Sequence, residues 1–209
     1  MKALVTLTGA LCAAALATSA QAAVSVGGYN FDNNAFADSL LGSSGSYTVV
    51  GGSLASVLTD TDPGTYAFSF SPGAYVDLGF TDNVVVNGAG NDLVLFELGV
   101  PDSFTVTING VTHTYPTSGT GFNAGGFSLN AVALDLDAFG LGAGATINSL
   151  RLAFVASGTV ASTSLVGALN SRGFGGVPEP ATWAMMITGF GLVGGVLRSR
   201  RRSSLAVPA

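Results

Sequence analysis

The sequence predicts an all-β fold: a single β-sandwich of the jelly-roll type, with a signal peptide before it and one transmembrane helix after it. Three observations lead to this prediction. Short runs rich in β-branched and aromatic residues recur between glycine, serine, asparagine and aspartate. The central region lacks any long run with the 3.6-residue period of a helix. Two long apolar stretches lie at the ends of the chain, outside the predicted domain.

The N-terminal stretch predicts a signal peptide over residues 1–22. Lys2 gives it a positive start, residues 3–17 are nearly all apolar, and Ala20 and Ala22 form the small-x-small pattern that precedes a cleavage site. We therefore expect export through the Sec machinery and cleavage by signal peptidase directly after this pattern.

The β-sandwich is predicted over residues 23–155, and residues 156–176 are expected to hold a final strand and a flexible stalk. Asn109 and Gly110 predict a type I′ hairpin, because both central positions of that turn need a positive φ. One short helical turn is expected over residues 33–41. The predicted strands, in chain order, are Ser25–Phe31, Ser46–Val50, Thr65–Phe70, Ala74–Phe80, Asp92–Leu98, Ser103–Ile108, Val111–Tyr115, Phe127–Leu136, Ala145–Phe154 and Ser164–Leu169.

The C-terminal stretch predicts a membrane helix that ends in a charged stop. Pro178 and Pro180 flank Glu179, and because proline lacks a backbone N–H, the helix is expected to begin after the second proline. Residues 181–197 are almost all apolar and just long enough to cross a bilayer. Arginines follow, and since positive flanks stay in the cytoplasm, residues 203–209 are expected inside and the domain outside. These arginines are Arg198, Arg200, Arg201 and Arg202.

The same segment resembles a known sorting signal. Over residues 177–202, the order Pro-Glu-Pro, then Trp183 and Ala184, then a glycine-rich apolar run and arginines, is similar to the PEP-CTERM motif in its PEPxxWA form. The resemblance implies recognition by exosortase, a membrane enzyme of Gram-negative bacteria that make exopolysaccharide. It also implies transient anchoring in the inner membrane, cleavage near the Pro-Glu-Pro, and delivery to the cell surface or matrix. Tails of this type are also called ice-binding protein C-terminal domains.

Once both end segments are set aside, the predicted domain is strongly acidic. Its eleven aspartates and glutamates face only Arg151 and Arg172, which gives a net charge of −9. A surface without lysine argues against nucleic acid as a partner, because binding phosphates requires basic side chains. The single cysteine, Cys12, lies in the predicted signal peptide, so we expect neither a disulfide nor a thiol nucleophile in the mature domain.

The residue types that carry catalysis are scarce in the predicted domain. Its one histidine, His113, follows the predicted hairpin turn, where an exposed strand residue is the ordinary interpretation and a ligand role is the alternative. The domain has no second histidine, no lysine and no cysteine, which removes most nucleophile–base pairs and zinc sites. A pair of carboxylates could still serve a glycosidase, although no motif indicates one. The sequence therefore favours a protein that is not an enzyme.

A second resemblance reaches into the domain. Its central segments are similar to those of secreted proteins with a galactose-binding-like jelly roll, which implies that fold. Residues 164–170 are similar in pattern to the closing strand of that family, but they lack the aspartate that many members carry there. The similar segments are Tyr75–Phe80, 86–97, 132–140 and 147–152.

Calcium is the cofactor that the acidic domain could hold, as a structural ion. Ca²⁺ binds several carboxylate and carbonyl oxygens in flexible geometry. Asp92 and Glu97 border one predicted strand with an odd spacing, which puts them on opposite faces, so a loop would have to add ligands. Asp135 and Asp137 are expected to share one face of their strand. The alternative for all four is a solubilising or turn-capping role.

Three classes of function remain open. The first, which the sequence favours, is a non-catalytic protein of the cell surface or extracellular matrix, associated with exopolysaccharide. The second is a carbohydrate-binding module, which would need solvent-facing aromatic side chains along a groove. The third is ice binding, which would need a flat array of threonines. Thr105, Thr107, Thr112 and Thr114 give only two adjacent pairs.

Overall fold

Two antiparallel sheets carry most of the strands. The computed structural model describes residues 24–32, 34–156, 159–173 and 186–191. In chain order the strands are β1 (Val24–Val26), β2 (Tyr29–Phe31), β3 (Ser39–Ser44), β4 (Thr48–Val50), β5 (Tyr66–Phe68), β6 (Tyr75–Gly79), β7 (Asn83–Val86), β8 (Leu93–Leu98), β9 (Ser103–Ile108), β10 (Val111–Pro116), β11 (Ser118–Ala124), β12 (Phe127–Leu134), β13 (Thr146–Ile147), β14 (Ser149–Ala153), β15 (Val155–Ala156), β16 (Thr159–Val160), β17 (Thr163–Ala168) and β18 (Ser171–Gly173).

The two main sheets are arranged as a sandwich. One has five strands in the order β10-β9-β14-β6-β3, and the other has six in the order β11-β12-β8-β17-β5-β4. Three small sheets accompany them: β1 with β2, β13-β7-β18, and β15 with β16. The prediction of an all-β sandwich is confirmed, and the jelly-roll assignment stays a prediction.

The five-stranded sheet has one apolar face and one polar face. In β9, Phe104, Val106 and Ile108 are buried, whereas Thr105 and Thr107 between them are partly exposed. Side chains alternate between the two faces of a strand, so the buried set lies toward the core and the threonines lie outside. This alternation is the pattern from which the strand was predicted.

The six-stranded sheet is buried on both faces at its centre. Every residue of β8 and β17 is buried, so these strands are mostly apolar and do not alternate between apolar and polar residues. The β1–β2 hairpin and the residues after it cover the face that carries Phe96. The ring centroid of Phe31 lies 4.9 Å from that of Phe36 and 6.0 Å from that of Phe96. Gly167 makes room for this packing, because a Cβ at that position would lie 2.6 Å from the Phe31 ring.

Two tight turns shape the hairpins. The predicted Asn109-Gly110 turn is confirmed, with φ values of 52° and 76°, and it joins β9 to β10. A second turn was not predicted. Gly27 and Gly28 have φ values of 57° and 87° and fold the run Ser25–Phe31, predicted as one strand, into the β1–β2 hairpin.

The helical turn expected over residues 33–41 is wrong. Strand β3 begins at Ser39 and pairs with β6 in the five-stranded sheet. The α-helix of this region lies later, at Leu54–Thr59, which we label α1. Ser53 caps it: its Oγ accepts a hydrogen bond from the backbone N–H of Ser56 at 3.1 Å. A helix of little more than one turn is too short to show a 3.6-residue period in the sequence.

The two predicted end segments are mostly outside the described residues. This applies to the whole signal peptide over residues 1–22, and to the transmembrane span 181–197 except for 186–191, which are helical. Among the residues that the structure describes, no helix combines the length and the apolar character needed to cross a bilayer.

Candidate functional site

Asp92 is a buried anchor at the start of β8. Its Oδ1 accepts hydrogen bonds from the backbone N–H of Gly88 at 2.7 Å and from Nδ2 of Asn170 at 2.8 Å. Its Oδ2 accepts one from the backbone N–H of Leu136 at 2.9 Å. The side chain is fully buried, and both oxygens are engaged by protein donors. This carboxylate therefore ties together three segments that are far apart in the chain.

The prediction that Asp135 and Asp137 share one face of a strand is wrong. Strand β12 ends at Leu134, and a 3₁₀ turn over Leu136–Phe139 follows it. Asp135 caps this turn, since its Oδ1 accepts from the backbone N–H of Asp137 at 2.8 Å. Oδ1 of Asp137 accepts in turn from Nδ2 of Asn87 at 2.8 Å. Both carboxylates stabilise the loops around the turn.

Glu97 is buried near the far end of β8. Its Oε1 accepts hydrogen bonds from the backbone N–H of Asp102 at 2.7 Å and from the Thr117 hydroxyl. Its Oε2 is buried and makes no hydrogen bond among the described residues. Burial raises the pKa of Glu97 above its ordinary value of 4.5, and the hydrogen bonds from Thr117 and Asp102 offset only part of this effect.

The structure does not bring the four predicted calcium ligands to one point. Asp92 lies beside the 3₁₀ turn that carries Asp135 and Asp137, but Glu97 is five residues further along an extended strand, a separation of about 16 Å. In the described ranges, no three side chains of Asp, Glu, His or Cys cluster as a metal site requires. Calcium binding stays a prediction, and an ion at Asp92 would share the carboxylate oxygens with the hydrogen bonds described above.

The burial of Glu97 predicts a pH dependence of stability. A carboxyl whose pKa is raised in the folded state keeps its proton there over a pH range in which the unfolded chain has lost it. The free energy of unfolding should therefore fall as the pH rises from about 4.5 through the raised folded pKa, and level off above it. Glu97→Gln keeps the Oε1 acceptor and cannot ionise, so urea unfolding at a series of pH values should show a flatter profile for this variant. Parallel profiles for variant and wild type would contradict the assignment.

His113 and Arg151 are both engaged on the five-stranded sheet. Nε2 of His113 donates to the backbone oxygen of Ala138 at 3.0 Å, which holds the ring against the 3₁₀ turn. Arg151 donates to both oxygens of Asp77, at 2.7 and 2.9 Å, and its guanidinium lies 3.7 Å from the ring centroid of Tyr75. The expectation that His113 is an exposed strand residue is confirmed.

The four threonines form one small patch on the outer face of the β9–β10 hairpin. The hydroxyls of Thr105 and Thr114 lie 2.9 Å apart, and those of Thr107 and Thr112 lie 2.8 Å apart. Each hydroxyl is thus hydrogen-bonded to its cross-strand neighbour. The patch does not extend into a regular array in the part of the chain that the structure describes.

A row of aromatic rings, which the sequence analysis did not single out, lies along β5. Tyr66, Phe68 and Phe70 alternate with small residues, so their side chains share one face. Ring centroids are 6.3 Å apart for Tyr66 and Phe68, and 5.4 Å apart for Phe68 and Phe70. Phe127, next to the β11–β12 turn, continues the row at 5.9 Å from Tyr66. Phe70 is 74% exposed and Phe127 is 47% exposed. We call these four residues the aromatic row.

The residues predicted to direct processing lie outside the residues that the structure describes. They are Ala20, Ala22, Pro178, Glu179, Pro180, Trp183, Ala184, Arg198, Arg200, Arg201 and Arg202.

The fold and the contacts together define an acidic β-sandwich domain whose buried carboxylates hold its loops in place. The C-terminal tail carries a sorting motif: residues 176–202 match the family model of the PEP-CTERM protein-sorting motif. This motif implies an exported protein whose membrane-anchored precursor is sorted to the cell surface by exosortase. No curated protein and no solved structure matches the chain.

Proposed function

We propose that this chain is a non-catalytic protein of the cell surface or extracellular matrix of a Gram-negative bacterium, processed by exosortase and associated with exopolysaccharide. The observation that carries the proposal is the sorting motif at residues 176–202. In this proposal the Sec machinery exports the chain and signal peptidase removes residues 1–22. The tail then holds the precursor in the inner membrane, with the domain in the periplasm, until exosortase acts.

The contacts of the charged side chains support a non-catalytic role. The carboxylate of Asp92 accepts three hydrogen bonds from the protein, and Asp77 is paired with Arg151. The carboxylate of Asp38 accepts from the backbone N–H groups of Thr81 and Asp82. A general acid or base needs a carboxylate that can reach a substrate, and these side chains are engaged in holding the fold.

Processing of the tail tests the proposal. In a host that has exosortase, mass spectrometry of the surface-released protein should show a form that lacks Trp183 and the arginines. Glu179→Ala alters the centre of the motif and should leave the protein as an uncleaved, membrane-bound precursor. Pro208→Ala changes a proline beyond the motif and serves as the matched control, which should be processed like the wild type.

Two outcomes would overturn the sorting proposal. One is a wild-type protein that keeps its arginines at the surface. The other is the same released form in a strain from which exosortase has been deleted, since cleavage would then be due to another protease.

A further inference from the structure

We infer that the aromatic row and the groove beside Phe70 form a binding surface for a neutral polysaccharide. The inference rests on the proposed function, because it names the surface and the chemical class through which the domain would associate with a matrix polymer.

The groove lies between β4 and the residues that follow β5. It is an open depression of about 470 Å³, and Phe70, Ser46, Thr48, Ser69 and Ser71 are among the residues that line it. The ring of Phe70 is 74% exposed and lies near the exposed residues Ser46 and Thr48, so an apolar surface adjoins hydroxyl groups that can form hydrogen bonds; the Ser69 hydroxyl is buried. Binding sites for small polar ligands are built from these two components.

Hydrogen bonds among the serines fix the shape of the groove before any ligand arrives. The Ser69 hydroxyl donates to the backbone oxygen of Ser46 at 2.6 Å and accepts from the backbone N–H of Ser71 at 3.1 Å. The Ser71 hydroxyl accepts from the backbone N–H of Ser46 at 3.2 Å. A surface that is already ordered loses less conformational entropy when it binds.

The aromatic row extends this groove into a longer surface. From Phe70 the rings follow one another at centroid distances of 5.4, 6.3 and 5.9 Å as far as Phe127. The two ends of the row, Phe70 and Phe127, are exposed, and the rings of Tyr66 and Phe68 between them are half-buried. Single exposed apolar residues are common on protein surfaces, whereas aromatic rings linked in a row are a feature of interaction sites. An elongated surface of this kind fits a polymer better than a single small molecule.

The chemistry of the groove favours a sugar polymer without charge. A sugar ring has an apolar face of C–H groups, which can lie on an aromatic ring, and a rim of hydroxyls, which can bond to serine and threonine. The groove is lined by uncharged residues only. The surrounding domain carries a net charge of −9, which would repel an anionic polysaccharide.

Another exposed phenylalanine provides the matched control. Phe122 is 56% exposed and lines a separate cavity of about 560 Å³ together with Asn123 and Asn130. It has no aromatic neighbour among the described residues, so it lacks the continuous surface that Phe70 shares with Phe68.

Affinity electrophoresis of the full-length chain tests the inference. The protein is kept in a polyoxyethylene detergent, which has no sugar headgroup, and run in native gels that contain hydroxyethyl cellulose, galactomannan, dextran or anionic alginate. We expect at least one neutral polymer to retard the wild type and alginate not to do so. Phe70→Ala should raise the Kd about tenfold or more, as truncation of an anchoring aromatic does. Phe70→Trp keeps an aromatic ring and should retain binding, and Phe122→Ala should behave like the wild type.

The inference would be overturned by no retardation by any neutral polymer, by equal retardation of Phe70→Ala and wild type, or by stronger retardation by alginate. Loss of binding in Phe122→Ala alone would also overturn it, because the second cavity would then hold the ligand. Thermal melts of each variant establish that it is folded. Since tail processing is measured separately, the binding surface can fail while the sorting proposal stands.

Discussion

Replacing Asp92 by alanine is expected to lower the free energy of unfolding by about 3–5 kcal/mol, because buried donors that lose their acceptor cost about 1–3 kcal/mol each. The substitution deletes the acceptor for three donors that come from three segments of the chain: Gly88, Leu136 and Asn170. Two of these donors are backbone N–H groups, which would be left without a partner in a buried region. Urea unfolding followed by near-ultraviolet circular dichroism measures the change.

A conservative variant and an exposed control separate hydrogen bonding from packing. Asp92→Asn keeps the size of the side chain but turns an NH₂ group toward one of the donors, so it should still lose about 2–4 kcal/mol. Asp62→Ala removes an exposed carboxylate that accepts only from Gly64 in its own turn, and should lose about 0.5–1 kcal/mol. An Asp92→Asn variant as stable as the wild type would show that its carboxylate is not needed as an acceptor.

Truncation of Phe31 is expected to have an effect of similar size. Phe31→Ala removes a ring that is 2% exposed and that packs against Phe36 and Phe96, so it should lower the free energy of unfolding by about 3–5 kcal/mol. The loss has two parts, the apolar surface no longer buried and the cavity left over β8 and β17. Urea unfolding of the purified variant measures the sum.

Phe70→Ala is the matched control, because the same change is made at a ring that is 74% exposed. Its effect should stay within about 0.5 kcal/mol. If Phe31→Ala also stayed within about 0.5 kcal/mol of the wild type, the packing of the β1–β2 hairpin against the core would be contradicted.

The elements that could be predicted from the sequence are those whose signal is local. The Asn109-Gly110 turn was predicted because a type I′ turn needs two particular residues side by side, and β9 because its apolar residues alternate strictly. Strand β11, Ser118–Ala124, was not predicted, since its residues are mostly small, polar and exposed, and it is held by pairing with β12. That pairing depends on tertiary structure, which short-range patterns do not contain.

In the candidate site, too, local features could be predicted from the sequence and tertiary contacts could not. The sequence predicts Asp92 and Glu97 as candidate calcium ligands that border one strand, and in the structure both are buried. Their partners, such as Asn170 and Thr117, come from distant parts of the chain, so the sequence could not distinguish a metal ligand from a structural anchor. Phe70 was missed for a related reason: alternation places residues on two faces but does not say which face another element will cover.

The contact between Phe31 and Gly167 has a consequence for the order in which an exported chain can assemble. In the proposed export through the Sec machinery, the N-terminal end crosses first, so Phe31 would leave the translocation channel before β17, where Gly167 lies. The hairpin that carries Phe31 therefore has to wait for its partner strand, and such long-range pairing is slow to form. The sandwich can close only once almost all of the domain has crossed, at the time when the sorting tail enters the bilayer. In this proposed route, the contact between Phe31 and Gly167 forms near the end of export, close to the time when the processing signal arrives.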